Sequence, residues 1–139
     1  DVDRDYSDIN TYKICEKGEK VAVLALGDFF QLGEDAAACI EKKIGTKVTL
    51  INPRFASGLD EKMLESLKKD HSVIVTLEDG ILDGGFGHRV AAYYSASDIK
   101  VLNFGLKKEF YDRYDPSELM KENHLTKEQI ADDVAKLFC

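Results

Sequence analysis

Runs of apolar residues alternate along this chain with segments in which apolar residues recur at helical spacing. Three runs are almost wholly apolar, Val21–Leu26, Val48–Ile51 and Val73–Leu77. Short continuous runs of this kind are typical of strands buried on both faces of a parallel sheet. A further strand is predicted over Ile99–Phe104, and polar–apolar alternation predicts a short first strand over Thr11–Cys15.

Helices are predicted in the segments that follow these strands. The spacing of apolar residues predicts helices over 31–43, from an opening segment Ser57–Asp60 onward, and over 87–95. Near the C-terminus, Asp115-Pro116 predicts a helix start with proline at the first position. A capping box that begins at Thr126 predicts a last helix. The side chains that this helix is expected to bury are Ile130, Val134, Leu137 and Phe138.

This alternation predicts an α/β fold, a three-layer sandwich in which helices cover both faces of a mostly parallel five-stranded sheet. The first strand is expected to be an antiparallel edge strand. Because only a short turn separates Thr11–Cys15 from Val21–Leu26, the two strands are expected to be antiparallel neighbours.

Length and composition narrow the class of protein. The 139 residues suit a single domain, predicted over 11–139, and residues 1–10 are interpreted as a polar linker remnant of a longer protein. The net charge is −7 and no long Lys/Arg run is present, which argues against a nucleic-acid partner. No apolar stretch reaches the length of a membrane span.

The three cysteines are widely spaced, which favours free thiols in a cytoplasmic protein over a zinc site or disulfides.

The segment Thr76–Gly87 joins a predicted strand to a predicted helix, and the composition of this strand-to-helix corner is typical of a functional site. Glu78 and Asp79 end an apolar run, and Gly84, Gly85 and Gly87 follow before a helix begins. In open α/β sheets, ligand sites lie at the carboxyl ends of the strands. One hypothesis is a phosphate cradle formed by the backbone N–H groups, and another is a metal or general-base pair of carboxylates. Because acids surround the turn and no P-loop is present, close backbone packing is favoured over an anion site.

A structural role for the acids is also favoured. Arg54 follows one parallel strand as Glu78 follows the next, so an Arg–carboxylate ion pair is predicted between them, together with a helix cap. His71 lies in a polar turn and is expected to be exposed to solvent. His88, just after the glycines, is the better functional candidate, although neither histidine has a nucleophile beside it.

Four segments occur in an order that resembles a known family. They are Val21–Gly27, Asn52-Pro53-Arg54-Phe55 through Leu59-Asp60, Val75–Asp79 with Gly84–Gly87, and Val101–Leu106. Together they resemble the C-terminal domain of the 1-deoxy-D-xylulose-5-phosphate synthase family, within the transketolase-like enzymes. The likeness extends from about residue 20 to the end of the chain. The segment Asn103–Leu106 favours this branch over other transketolase and 2-oxoacid dehydrogenase relatives.

The resemblance implies a transferase that condenses pyruvate with glyceraldehyde 3-phosphate, releases CO₂ and supplies isoprenoid, thiamine and pyridoxal synthesis. It implies thiamine diphosphate and Mg²⁺ in the full-length enzyme. The motifs for both lie in the two preceding domains, so this chain is expected to bind no cofactor or metal and to contain no catalytic residue. Its implied partners are the N-terminal and pyrimidine-binding domains, in a homodimer.

The resemblance also implies which residues support the packing of this domain on its neighbours. By motif position they are Arg54, Asp60, Glu78, Asp79, Gly84, Gly85 and Gly87. The chain departs from the family pattern at Gly58, where a proline is usual, and in the acidity of the turn at Asp79 and Asp83. The alternative, from a different functional class, is a free-standing regulatory or binding module with a ligand at the glycine turn.

Overall fold

The computed structural model describes residues 13–26, 29–53, 59–81, 85–106 and 125–138, with the side chains of 79–81 and 106 excepted. Strands and helices alternate in it, as the apolar runs predict. The strands are β1 (Lys13–Glu16), β2 (Lys20–Ala25), β3 (Thr49–Asn52), β4 (His71–Ile81) and β5 (Lys100–Leu106). The helices are α1 (Phe30–Ile44), α2 (Glu61–Leu67), α3 (Phe86–Tyr93) and α4 (Lys127–Ala135), and a 3₁₀ turn follows at Lys136–Phe138.

The strands form one five-stranded sheet in the order β1-β3-β2-β4-β5. All neighbouring pairs are parallel except β1 with β3, so the predicted α/β fold with one antiparallel edge strand is confirmed. The predicted neighbour of that strand is wrong, because β3 lies between β1 and β2. The reason lies in the turn before β2, where the Glu19 N–H donates to the Lys47 carbonyl at 2.9 Å and the turn packs on the start of β3.

Alternate residues of β2 point to opposite faces of the sheet, which explains why its sequence is continuously apolar. Val21, Val23 and Ala25 belong to a core cluster completed by residues of α1 and α4. Ala22 and Leu24 belong to the other cluster, which residues of α2 and α3 complete. Helices therefore cover both faces, as predicted.

In two of the helices, the side chain of the N-cap residue itself caps the first turn. The Asp60 carboxylate accepts the Met63 N–H at 3.1 Å at the start of α2, and the Thr126 hydroxyl accepts the Gln129 N–H at 3.2 Å at the start of α4. Leu137 is 41% exposed and Phe138 is 38% exposed. The prediction that the last helix buries these two side chains is therefore wrong. These residues lie in the 3₁₀ turn, where the helical spacing no longer holds.

His71 is buried, which corrects its predicted exposure. Its side chain is only 2% exposed because it begins β4 rather than lying in a turn. Its Nε2 lies 2.8 Å from the Thr49 hydroxyl, and its Nδ1 lies 2.6 Å from a carboxylate oxygen of Asp70.

Two predicted segments, the linker over 1–10 and the helix start at Asp115, lie outside the described residues. Within the ranges that the structure describes, no helix is both long enough and apolar enough to cross a bilayer.

Candidate functional site at the end of strand β4

Glu78 joins the end of β4 to the beginning of α3. Glu78 is only 6% exposed, and both of its carboxylate oxygens face the first turn of α3. Oε2 accepts the Gly87 N–H at 2.7 Å, and Oε1 accepts the Phe86 N–H at 3.3 Å. The first N–H groups of a helix lack partners within the helix and carry partial positive charge, so a carboxylate satisfies both needs. Glu78 therefore caps α3 from a neighbouring strand.

The same turn packs closely on a polar pair, of which Thr76 is buried and Asn103 is partly buried. Thr76 on β4 and Asn103 on β5 are register partners, and the Thr76 hydroxyl donates to the Asn103 Oδ1 at 2.6 Å. A Cβ atom added at Gly87 would lie 2.7 Å from the Thr76 Oγ1 and 2.7 Å from the Asn103 Oδ1. Only glycine lets α3 approach the two strands this closely. Gly87 therefore lies at a point of close contact that has no room for a side chain.

The hydrogen bonds of Glu78 argue against the hypothesis of a phosphate site at the glycine turn. The N–H groups of Phe86 and Gly87 already bond a carboxylate that is almost fully buried. A phosphate at the same position would meet that negative charge in a medium of low dielectric constant. The donor set at this corner therefore does not fit a diphosphate, and it does not fit the thiamine diphosphate that the family resemblance implies for the whole enzyme.

The carboxylate-pair hypothesis finds no support in the described part of the chain. No group of three or more His, Cys, Asp and Glu side chains there is arranged to hold a metal ion. The side chain of Asp79 is not among those described. Glu78 is directed toward the backbone of α3, and this direction favours support of the turn over proton transfer to a bound molecule.

The other predicted site residues are distributed as follows. Gly85 stands at the N-cap of α3, where its carbonyl accepts the Arg89 N–H at 3.2 Å. Asp60 caps a different helix, α2. Arg54 and Gly84 lie outside the described residues, so the predicted ion pair between Arg54 and Glu78 stays a prediction. His88 is exposed on α3.

Thr76 and Asn103 are the members of this corner that sequence reasoning missed. Each is a polar residue inside a predicted apolar strand, and that is the signal by which they are recognisable. Recognising them as a pair also requires the register of β4 against β5, which a single sequence does not contain.

A separate groove of about 520 Å³ lies between α2 and α3, lined in part by Glu61, Glu65, Ser66 and Tyr93. The Tyr93 hydroxyl donates to the Glu65 carboxylate at 2.7 Å, and this hydrogen bond raises the pKa of Tyr93 to about 12. The same bond holds the pKa of Glu65 below its usual value. The glycine turn contributes no residue to the described lining of this groove.

Comparison with known proteins agrees with this architecture. The family model described as "Transketolase, C-terminal domain" matches residues 10–130. A 1-deoxy-D-xylulose-5-phosphate synthase of Shouchella clausii is 31% identical over 132 residues, which are 94% of this chain and 21% of that protein. The enzyme of the same name from Francisella tularensis subsp. novicida is 34% identical over 130 residues, which are 91% of this chain and 20% of that protein. The chain thus spans about one fifth of the length of these relatives.

Solved structures share the fold. A split-gene transketolase, solved as an inactive β4 tetramer, superposes with a TM-score of 0.79 at 23% identity, over 91% of this chain and 42% of its own. A transketolase mutant from Pichia stipitis gives a TM-score of 0.58 at 20% identity, over 93% of this chain and 18% of its own. At these identities the likeness concerns the fold alone.

Proposed function

This chain belongs to the family of transketolase C-terminal domains, and we propose that it is the C-terminal domain of a thiamine-diphosphate-dependent 1-deoxy-D-xylulose-5-phosphate synthase. Its homology to the corresponding region of such enzymes extends over 91–94% of the chain in two of these relatives. The parent enzyme in this proposal condenses pyruvate with glyceraldehyde 3-phosphate, releases CO₂ in the cytoplasm and supplies isoprenoid precursors.

The observation that carries the proposed role is that Glu78 bonds the backbone of this domain. Its two carboxylate oxygens are hydrogen-bonded to the backbone of α3, and the helix approaches the hydrogen-bonded pair Thr76–Asn103 through Gly87. In the described part of this corner, Thr76 bonds Asn103 and Glu78 bonds the backbone of α3, so these polar groups are used within the domain. We therefore infer that the domain stabilises the enzyme while other domains hold thiamine diphosphate and Mg²⁺.

The partners in this proposal are the pyrimidine-binding and N-terminal domains, and the complete enzyme is a homodimer. The support for a multidomain parent is the length comparison, since the named relatives are about five times longer than the part that this chain matches. We expect the corner at the end of β4 to face one of these domains, because functional surfaces of open α/β sheets lie at the carboxyl ends of the strands.

A chimera tests the proposal. In the Shouchella clausii synthase, the segment that this chain matches is replaced by this chain, and condensation of pyruvate with glyceraldehyde 3-phosphate is assayed. We expect an active dimer, whereas the same enzyme with that segment deleted should be inactive. A chimera that is folded and dimeric but inactive would contradict the assignment. The same replacement in a transketolase tests the alternative family members, and there we expect lower activity.

The division of labour between domains is tested on the chain alone. Titration with thiamine diphosphate and Mg²⁺ in a calorimeter should give no binding heat. Saturable binding would contradict the proposed role and would favour the alternative of a free-standing binding module. Inorganic phosphate serves as the matched probe for the glycine turn, and it too should show no saturable binding.

A further inference from the structure

Strand β1 differs from the other strands in how little of it is buried. All four of its residues are exposed, and the apolar Ile14 is 39% exposed. Strand β2, by contrast, buries every residue after Lys20. Neither core cluster of the described residues includes a residue of β1. Among the described residues, both core clusters therefore form without this strand.

The pairing of β1 with β3 is also interrupted. Ile14 lies opposite Ile51 and Glu16 lies opposite Leu50, so the register shifts between them and Cys15 has no register partner on β3. An irregularity of this kind leaves one residue unpaired and disrupts the ladder locally. The strand is thus paired with β3 through an irregular register and contributes no residue to the core clusters of the described residues.

The turn after β1, in contrast, is firmly attached to the start of β3. The Gly18 N–H donates to the Thr49 hydroxyl at 2.8 Å, and the Glu19 N–H donates to the Lys47 carbonyl at 2.9 Å. A Cβ atom on Gly18 would lie 2.0 Å from the Lys47 carbonyl oxygen, so a larger residue would not fit.

His71 completes this attachment. Its Nδ1 faces two acceptors, the Leu67 carbonyl at 3.2 Å and the Asp70 carboxylate at 2.6 Å, so Nδ1 carries a proton. In the neutral imidazole, Nε2 then accepts the Thr49 hydroxyl proton across 2.8 Å, while the Thr49 oxygen accepts the Gly18 N–H. The Gly18 N–H, the Thr49 hydroxyl and both ring nitrogens of His71 thus all have partners, and Thr49 itself is 1% exposed.

We propose that β1 is a detachable strap that opens and closes while β2 to β5 remain folded. The attachment through Gly18, Thr49 and His71 acts as its fixed hinge. Opening uncovers the outer edge of β3, a row of backbone N–H and C=O groups that β1 otherwise pairs. The low burial of the strap makes opening easy, and the hinge, in which Thr49 and His71 are buried, confines the opening to the strand itself.

Hydrogen exchange of the 139-residue chain tests this proposal. We expect amides of β1 to exchange at least ~100-fold faster than amides of β2. Exchange in β1 should also be insensitive to low concentrations of urea, because local opening exposes little new surface. If β1 and β2 exchange at the same rate and with the same urea dependence, β1 opens only with the whole domain and the proposal is wrong.

A matched pair of variants tests the hinge. Thr49→Val removes the hydroxyl, whereas Thr49→Ser retains it. We expect Thr49→Val to accelerate exchange of the Gly18 amide and the β1 amides by about 10-fold, with β2 unchanged, and Thr49→Ser to stay within about 3-fold of the wild type. Equal acceleration of β1 and β2 in Thr49→Val would assign Thr49 to the global core instead. If Thr49→Val does not fold, the urea dependence of the wild type still decides.

Discussion

Replacement of Glu78 by glutamine is the sharpest test of the corner at the end of β4. Glutamine keeps the shape of the side chain but has one acceptor oxygen and one amide donor, where the carboxylate has two acceptors. Since the Phe86 and Gly87 N–H groups each contact a different carboxylate oxygen, one of them would face an N–H₂ group. The substitution therefore creates a donor–donor contact in a buried position.

The expected cost follows from these contacts. A buried donor without a partner costs about 1–3 kcal/mol, and the lost negative charge at the start of α3 adds about 0.3–1 kcal/mol. We expect Glu78→Gln to lower the free energy of unfolding by about 2–3 kcal/mol. With a typical urea dependence, this corresponds to a midpoint about 1–2 M lower, with an unchanged slope.

Urea unfolding followed by circular dichroism measures this difference. The matched control is Glu34→Gln on the exposed side of α1, which should change the stability by less than about 0.5 kcal/mol. Hydrogen exchange at Gly87 should accelerate in Glu78→Gln beyond the change in global stability. If Glu78→Gln and Glu34→Gln unfold at the same urea concentration, the carboxylate does not stabilise α3 and the reasoning fails.

Three further outcomes are expected. Gly87→Ala should lower the free energy of unfolding by about 1–3 kcal/mol, since its methyl group overlaps the Thr76 and Asn103 oxygens, and coincident thermal melts would contradict this. His71→Ala should cost about 2–4 kcal/mol, and an unfolding midpoint equal to that of the wild type would refute the buried network. The difference in ultraviolet titration between wild type and Tyr93→Phe should have its midpoint near pH 12. Because the pKa of Tyr93 is raised in the folded state, the stability that its hydrogen bond to Glu65 contributes is fully present below about pH 10 and is lost as the pH rises toward 12. A titration midpoint that stays at pH 12 in Glu65→Gln would exclude the carboxylate as the cause of the raised pKa.

Much of the fold follows from local sequence patterns. The apolar runs in β2, β3 and β4 predict those strands because burial on both faces requires apolar residues at every position. The neighbour of β1 was not predictable in this way. A short turn indicates an antiparallel hairpin, but here the turn passes over the start of β3 and bonds to Lys47 and Thr49 instead. Strand order depends on such distant contacts.

The candidate site shows the same limit. The position of Glu78 at a strand end is readable from the sequence, yet its two partners lie eight and nine residues later, across a turn. His71 follows three polar residues, and this context predicts exposure. Its burial depends on Thr49, which is 22 residues away, so no local pattern reveals it.

The insertion of β3 between β1 and β2 has a consequence for the order of folding. During synthesis β1 leaves the ribosome before its partner strand exists, and more than 30 residues separate Glu16 from Thr49. A local hairpin of β1 with β2 is not part of the native sheet, so early pairing of these two strands would have to be undone. Although β1 precedes the other four strands of this sheet in the chain, it is therefore expected to dock last, after α1 has brought β3 alongside β2.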